Sequence, residues 1–162
     1  MDTSRVVIGM ADMKVLKSSG LLVTIGLGSC VGITFYDPIE KVAGMAHVML
    51  PDSTAISTTE NPAKFVNTAV EKLLMDMKLM GAQPSRMIAK LVGGAQMFAF
   101  NTTNESLRIG DRNVEAAHLT LRQYRVPIIA EEVGGTFGRT IELCVETGHL
   151  LVKSVGQKPR YI

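Results

Sequence analysis

The chain has 162 residues, 46% of them hydrophobic and 20% charged, with a net charge of +2. That is one domain, residues 1–162, able to bury about two-thirds of its unfolded surface and so to fold without a disulfide or a metal, and its small charge offers nucleic acid no bulk attraction. No apolar run approaches the roughly 18 residues of a membrane span, Met1 to Arg5 leads straight into Val6-Val7-Ile8 without the pattern of a secretory leader, and Cys30 and Cys144 lack CxxC spacing, so the expectation is a cytoplasmic protein with free thiols.

Arg5-Val6-Val7-Ile8 and Lys14-Val15-Leu16 read as short strands, and Ser18-Ser19-Gly20 as a turn. Leu21 to Ile25 is an apolar run that predicts a buried strand. It enters a glycine turn, Gly26-Leu27-Gly28-Ser29-Cys30-Val31, from which Cys30 to Tyr36 continues as a strand closed by Asp37-Pro38. Val42 to Leu50 is apolar and stops at Pro51. These runs recur about every ten residues with turn signals between them, which predicts antiparallel neighbours. Runs that do not alternate cleanly, such as Val42 to Leu50, are expected to be covered on both faces.

Residues 51–60 are polar and rich in Ser and Thr, as a loop would be. Asn61 as N-cap and Pro62 at the first helical position open a helix. Val66, Ala69, Val70, Leu73, Met77 and Met80 form its apolar face, and Gly81 ends it. Met87 to Val92 reads as a strand ended by Gly93-Gly94. Asp111 is placed to cap a second helix with Val114, Ala117, Leu121 and Tyr124 on one face. Pro127 to Ala130 is a strand, Arg139 to Glu146 and His149 to Val155 form a hairpin around Thr147-Gly148, and residues 156–162 are expected to fray. Two helices among many strands, out of strict alternation, predict an α+β domain whose helices cover a mixed, mainly antiparallel sheet.

Cys30 is the first candidate for chemistry. A cysteine on a glycine turn can present its sulfur and its own backbone N–H to one bound atom, which is what acyl transfer requires. The plainer alternative is a small buried apolar residue. The glycines do not make a dinucleotide site, because Val31 stands where the third glycine belongs, and there is no Walker Gly-Lys-Ser/Thr. Cys144, in an alternating strand, reads as structural. His47 lies inside an apolar strand. If the strands of Cys30 and His47 pair around Asp37-Pro38, the imidazole can take the thiol proton; otherwise His47 is a core histidine bonded to a carbonyl. Thr24, in the preceding strand, could accept the imidazole N–H through its hydroxyl or its backbone carbonyl. His118 reads as packing and His149 as exposed. No metal-ligand spacing occurs, so no metal or cofactor is expected. The apolar stretch Gln96-Met97-Phe98-Ala99-Phe100 is either a core plug or a docking patch for a protein partner.

Gly26-Leu27-Gly28-Ser29-Cys30-Val31 and Gly44-Met45-Ala46-His47-Val48-Met49-Leu50-Pro51 resemble the bacterial chemotaxis family CheD, the chemoreceptor glutamine deamidases. The likeness runs on through Lys64 to Val70, Gly93 to Phe98, Ile109 to Glu115, Gly134 to Arg139 and Thr147-Gly148, in order along nearly the whole chain. It implies a three-layer sandwich and a catalytic Cys30, His47 and Thr24; with Cys30 as nucleophile, the backbone of the turn at Gly28 and Ser29 is the expected place for the substrate. It implies hydrolysis of selected glutamine side chains on the cytoplasmic helices of methyl-accepting chemoreceptors. It further implies the phosphatase CheC as a partner; if the apolar stretch is a docking patch and not a core plug, Met97, Phe98 and Phe100 are the residues that would meet CheC or a receptor. The expected form is a monomer that meets the membrane only through receptors. Without the resemblance, Cys–His chemistry would equally serve another thiol hydrolase or transamidase, and a regulatory binding module with secondary catalysis is the alternative from another class.

Overall fold

A computed structural model describes residues 4–53, 61–97 and 108–162. Its strands are β1 (Arg5–Val7), β2 (Asp12–Lys17), β3 (Leu21–Leu27), β4 (Val31–Asp37), β5 (Val42–Val48), β6 (Ile88–Gly93), β7 (Ile128–Val133), β8 (Arg139–Cys144), β9 (Leu150–Ser154) and β10 (Arg160–Tyr161). Its helices are α1 (Val66–Leu79) and α2 (Ile109–Gln123). The strands form two five-stranded sheets, ordered β1-β3-β8-β9-β10 and β2-β5-β4-β6-β7. Only β1/β3 and β6/β7 pair in parallel; the other ladders are antiparallel. The fold is α+β.

The alternation of side chains along β4 and β5 sets the layers. Val31, Ile33 and Phe35 of β4 and Val42, Ala46 and Val48 of β5 pack with Val66, Val70, Leu73 and Met77 of α1 and with Ala117 and Leu121 of α2. The opposite faces, with Tyr36, Ala43 and Met45, pack with Leu22, Leu27, Ile141, Leu143 and Val152 of the other sheet. The central sheet is therefore covered by helices on one side and by the second sheet on the other, and every residue of β4 and β5 is buried. This is why Val42 to Leu50 reads as a continuous apolar run instead of an alternating one.

Several elements differ from the sequence expectation. Asn61 does accept a cap bond, from the Ala63 N–H at 3.1 Å. It caps a separate 3-10 turn, Pro62–Lys64, however, and α1 starts afterwards at Val66 with no side-chain cap. Asp111 lies inside the first turn of α2, which begins at Ile109 without a side-chain cap. Met80 and Tyr124, placed on apolar faces by periodicity, fall at the helix ends and are exposed. The tail does not fray: β10 pairs with β9 through Arg160↔Val152 and Tyr161↔Leu151. Arg160 also reaches Glu132 with its Nε at 2.6 Å, a long-range partner that tail composition does not reveal.

Candidate active site

The turn carrying Cys30 joins the two sheets, between the end of β3 and the start of β4. Its carbonyls are pinned in succession. The Ala95 N–H donates to the Gly28 carbonyl at 2.9 Å, and the Gly94 N–H to the Cys30 carbonyl at 2.9 Å. Asn113 Nδ2 donates to the Ser29 carbonyl at 2.9 Å. Gly93 must be glycine for this approach: its φ is +111°, and a Cβ there would overlap the Cys30 carbonyl oxygen. Upstream, the β3/β8 register shifts between Thr24 and Leu27. Bulges of this kind recur beside functional sites because they re-aim the chain.

β4 and β5 pair around Asp37-Pro38 with Gly32 opposite His47. Cys30 stands just before β4 and packs in the buried cluster that holds Tyr36, Ala43 and Met45, on the side of the central sheet that His47 shares by alternation with Met45. That face looks onto the second sheet, where Thr24 Oγ1 lies 2.7 Å from His47 Nδ1. Thr24 Oγ1 also donates to the Ile8 carbonyl at 2.7 Å. A hydroxyl has one proton. With that proton spent on Ile8, the Thr24 oxygen accepts at Nδ1, so His47 carries its proton on Nδ1 and offers a lone pair at Nε2. Nε2 is buried and has no hydrogen-bond partner among the described residues. The thiol–imidazole bond is thus not made in this state; catalytic hydrogen bonds commonly tighten only with substrate in place.

Burial governs the electrostatics. It pushes the Cys30 thiol above its ordinary 9.0, against a smaller opposing pull from the residue's own backbone N–H at the sulfur. It pushes His47 below its ordinary 6.5. The resting pair is therefore a neutral thiol and a neutral imidazole, not an ion pair. Such a site holds a base whose free nitrogen can take the thiol proton when an electrophile arrives.

The other candidates are dispersed. Met97 is half-exposed, its Cγ 3.2 Å from where a Cβ on Gly28 would stand; Phe98 and Phe100 lie outside the described residues. His118 is not packed in the core; its Nε2 meets Glu131 at 2.8 Å on the surface. His149 is exposed beside the Tyr161 ring. Cys144 is half-buried at the far end of β8. Among the described residues no three His, Cys, Asp or Glu side chains converge as a metal site would need.

Two contributors escape a reading of the sequence. The Ile8 carbonyl, which fixes the Thr24 hydroxyl, is a backbone atom without a side-chain signature. Asn113, fully buried, did leave a signal: it stands four residues before Ala117, a polar side chain in line with the apolar face of α2.

On fold and site, this is an α+β sandwich with a buried Thr24–His47 hydrogen bond and the Cys30 thiol in the layer between its sheets. A family model described as CheD chemotactic sensory transduction matches residues 49–154. The probable chemoreceptor glutamine deamidase CheD of Caldanaerobacter subterraneus is 53% identical over 155 residues, 96% of each chain. That of Lachnoclostridium phytofermentans is 52% identical over the same coverage. The chemoreceptor glutamine deamidase CheD of Halalkalibacterium halodurans is 48% identical over 156 residues, again 96% of each chain. The chain belongs to the CheD family. The family model begins at Met49, beyond Thr24, Cys30 and His47, so the case for those three rests on their geometry.

Proposed function

We propose that the protein hydrolyses selected glutamine side chains of methyl-accepting chemoreceptors to glutamate and ammonia, with Cys30 as nucleophile, His47 as base and then acid, and Thr24 as the group that orients the ring. The observation that carries this is the Thr24–His47 hydrogen bond at 2.7 Å, which leaves Nε2 unprotonated on the face that holds Cys30. Its relatives' names supply the substrate class.

His47 Nε2 takes the thiol proton as sulfur attacks the glutamine amide carbon. The carbonyl oxygen becomes an oxyanion, held by the Cys30 N–H and its neighbours beside Gly28 and Ser29, and one such donor typically contributes about 3 kcal/mol. The C–N bond then breaks, His47 gives its proton to the departing amine, and ammonia leaves a thioester on Cys30. Water, deprotonated by His47, adds to that thioester; the C–S bond breaks, glutamate is released and the thiol is restored. Atoms and protons balance with no cofactor. The receptor helix gains a negative charge, which changes its repulsion against neighbouring helices and supplies a carboxylate for methylation.

The protein acts in the cytoplasm as a monomer and reaches the membrane only through its substrates; among the described residues no helix is long and apolar enough to cross a bilayer. A second reading, regulation by docking of the phosphatase CheC with catalysis secondary, draws on the half-exposed Met97 beside Gly28. A pull-down separates the two, since docking alone survives Cys30→Ala and fails with Phe98→Ala. Ammonia release from a receptor cytoplasmic fragment tests the enzyme: the wild type is expected to release it, Cys30→Ala and His47→Ala are not, and equal release by all three overturns the proposal.

A further inference from the structure

Asn113 occupies a position that packing alone would give to an apolar side chain. It is fully buried, in a helix whose buried neighbours include Ala117 and Leu121. Both protons of its Nδ2 are committed, one to the Ser29 carbonyl at 2.9 Å and the other to the Met49 carbonyl at 3.0 Å. Its Oδ1 is buried with no hydrogen-bond partner among the described residues. Turning the amide over would set that oxygen against two carbonyl oxygens, so the orientation is determined. α2 also meets this segment at a second point. Gly110, one turn earlier, already lies so close to the Gly94 and Ala95 carbonyls that a Cβ could not be accommodated.

The two carbonyls that Asn113 holds belong to the two halves of the site. Ser29 precedes the nucleophile, and Met49 lies two residues beyond the base. The first contact has a direct consequence for chemistry. The Ser29 carbonyl and the Cys30 N–H belong to one planar trans peptide and point in opposite directions, and the described chain contains no cis bond. Drawing that carbonyl toward α2 turns the Cys30 N–H away from α2, toward the sulfur, where that N–H already acts on the thiol. Neither the Ser29 nor the Cys30 N–H donates to a backbone carbonyl among the described residues; the Cys30 N–H acts on the sulfur of its own residue.

We infer that Asn113 is a positioning residue for the oxyanion: by holding the Ser29 carbonyl it aims the Cys30 N–H at the oxygen of a tetrahedral intermediate formed on Cys30. The inference rests on reading Cys30 as the nucleophile, and it concerns addition to a carbonyl, not the thiol's reactivity in general. Two probes separate these on the whole protein, with peptide mapping to resolve Cys30 from Cys144. p-Nitrophenyl acetate acylates the sulfur through a tetrahedral oxyanion before nitrophenolate leaves. Iodoacetamide alkylates it by direct displacement of iodide, with no oxyanion.

In Asn113→Leu, close in shape but without donors, acylation of Cys30 should slow by about tenfold to a hundredfold, the scale of a misdirected oxyanion donor, while alkylation stays near the wild-type rate. Asn113→Ser, which keeps one donor, should recover part of the acylation rate. Thermal unfolding is measured alongside. Parallel loss of both reactions, no loss of either, or unfolding of both variants overturns the role of Asn113. Failure of the wild type to acylate Cys30 overturns the nucleophile itself, and the function proposed above with it, whereas equal acylation by wild type and variants removes only Asn113.

Discussion

The Thr24 oxygen decides the chemistry of His47 because it has only one proton to give. Replacing it with the isosteric Thr24→Val removes the acceptor from Nδ1–H and the donor from the Ile8 carbonyl, both buried. The imidazole is then free to rotate or change tautomer, so kcat for deamidation is expected to fall by about 10²-fold, the lower range for a general base, with a loss of about 1–3 kcal/mol in urea unfolding from the unpaired groups. Thr24→Ser should restore much of both. The neutral resting pair predicts a pH profile as well. With His47 held below its ordinary 6.5, the acid limb of kcat/KM should lie below pH 6.5. With the Cys30 thiol pushed above 9.0, alkylation by iodoacetamide in the absence of substrate should keep rising past pH 9.0. A thiolate–imidazolium pair would instead give fast, pH-independent alkylation around neutrality. Protonation of His47 also bears on stability. Its folded value is depressed, so the unfolded chain binds the proton more readily, and this contribution is present above 6.5 and declines as pH falls below it.

At the scale of elements, the site is held by contacts between segments far apart in sequence. Asp37, at the turn between β4 and β5, is fully buried. It accepts from Arg86 Nη2 at 2.9 Å and Nε at 3.1 Å, and from the N–H groups of Gln83 at 2.9 Å, Ile39 at 3.0 Å and Glu40 at 3.2 Å. Burial would raise its carboxyl, but the Arg86 guanidinium and those N–H groups outweigh it and hold the carboxyl at about 2, below the ordinary 3.8. Its stabilisation is therefore complete above pH 3.8 and disappears as pH falls through about 2. Asp37→Asn should cost about 2 kcal/mol at neutral pH and flatten the acid limb of a urea-unfolding series between pH 4 and 2; an unchanged limb would show that this clamp does not carry the acid sensitivity. Gly93→Ala should lower stability by at least about 2 kcal/mol, since it strains a left-handed position and drives a methyl into the Cys30 carbonyl.

The elements also mark where sequence reasoning stops. Apolar runs between turn signals located β3, β4, β5 and β6 to within a residue or two, and the short Asp37-Pro38 turn made the pairing that puts Cys30 and His47 on one face foreseeable. Local pattern carries such information because hairpin partners are near in sequence. It could not say that β3 leaves its neighbour β4 to join β8, pairing Leu21 with Cys144, or that the strands divide into two sheets. Thr24 was visible as a candidate, but the choice between its hydroxyl and its carbonyl depended on the Ile8 carbonyl, which only the tertiary fold brings there. Asn113 depended on α2 crossing over the Cys30 turn, and the tail strand on a Glu132 that residues 156–162 give no sign of needing.

Seen whole, the molecule sets its reactive groups at the seam between two sheets, one supplying Thr24 and the other His47, with α2 on the far side of the central sheet holding the connecting turn. Burial there favours the neutral forms of the Cys30 thiol and the His47 imidazole, and the net charge of +2 leaves recognition to shape and local contacts rather than to long-range steering. The most direct measurement is peptide mapping by mass spectrometry of a chemoreceptor cytoplasmic fragment incubated with the wild type or with Cys30→Ala. Conversion of particular glutamines to glutamate by the wild type alone is the expected result. Equal conversion by the two proteins, or conversion by neither, would contradict a thiol deamidase built on Cys30.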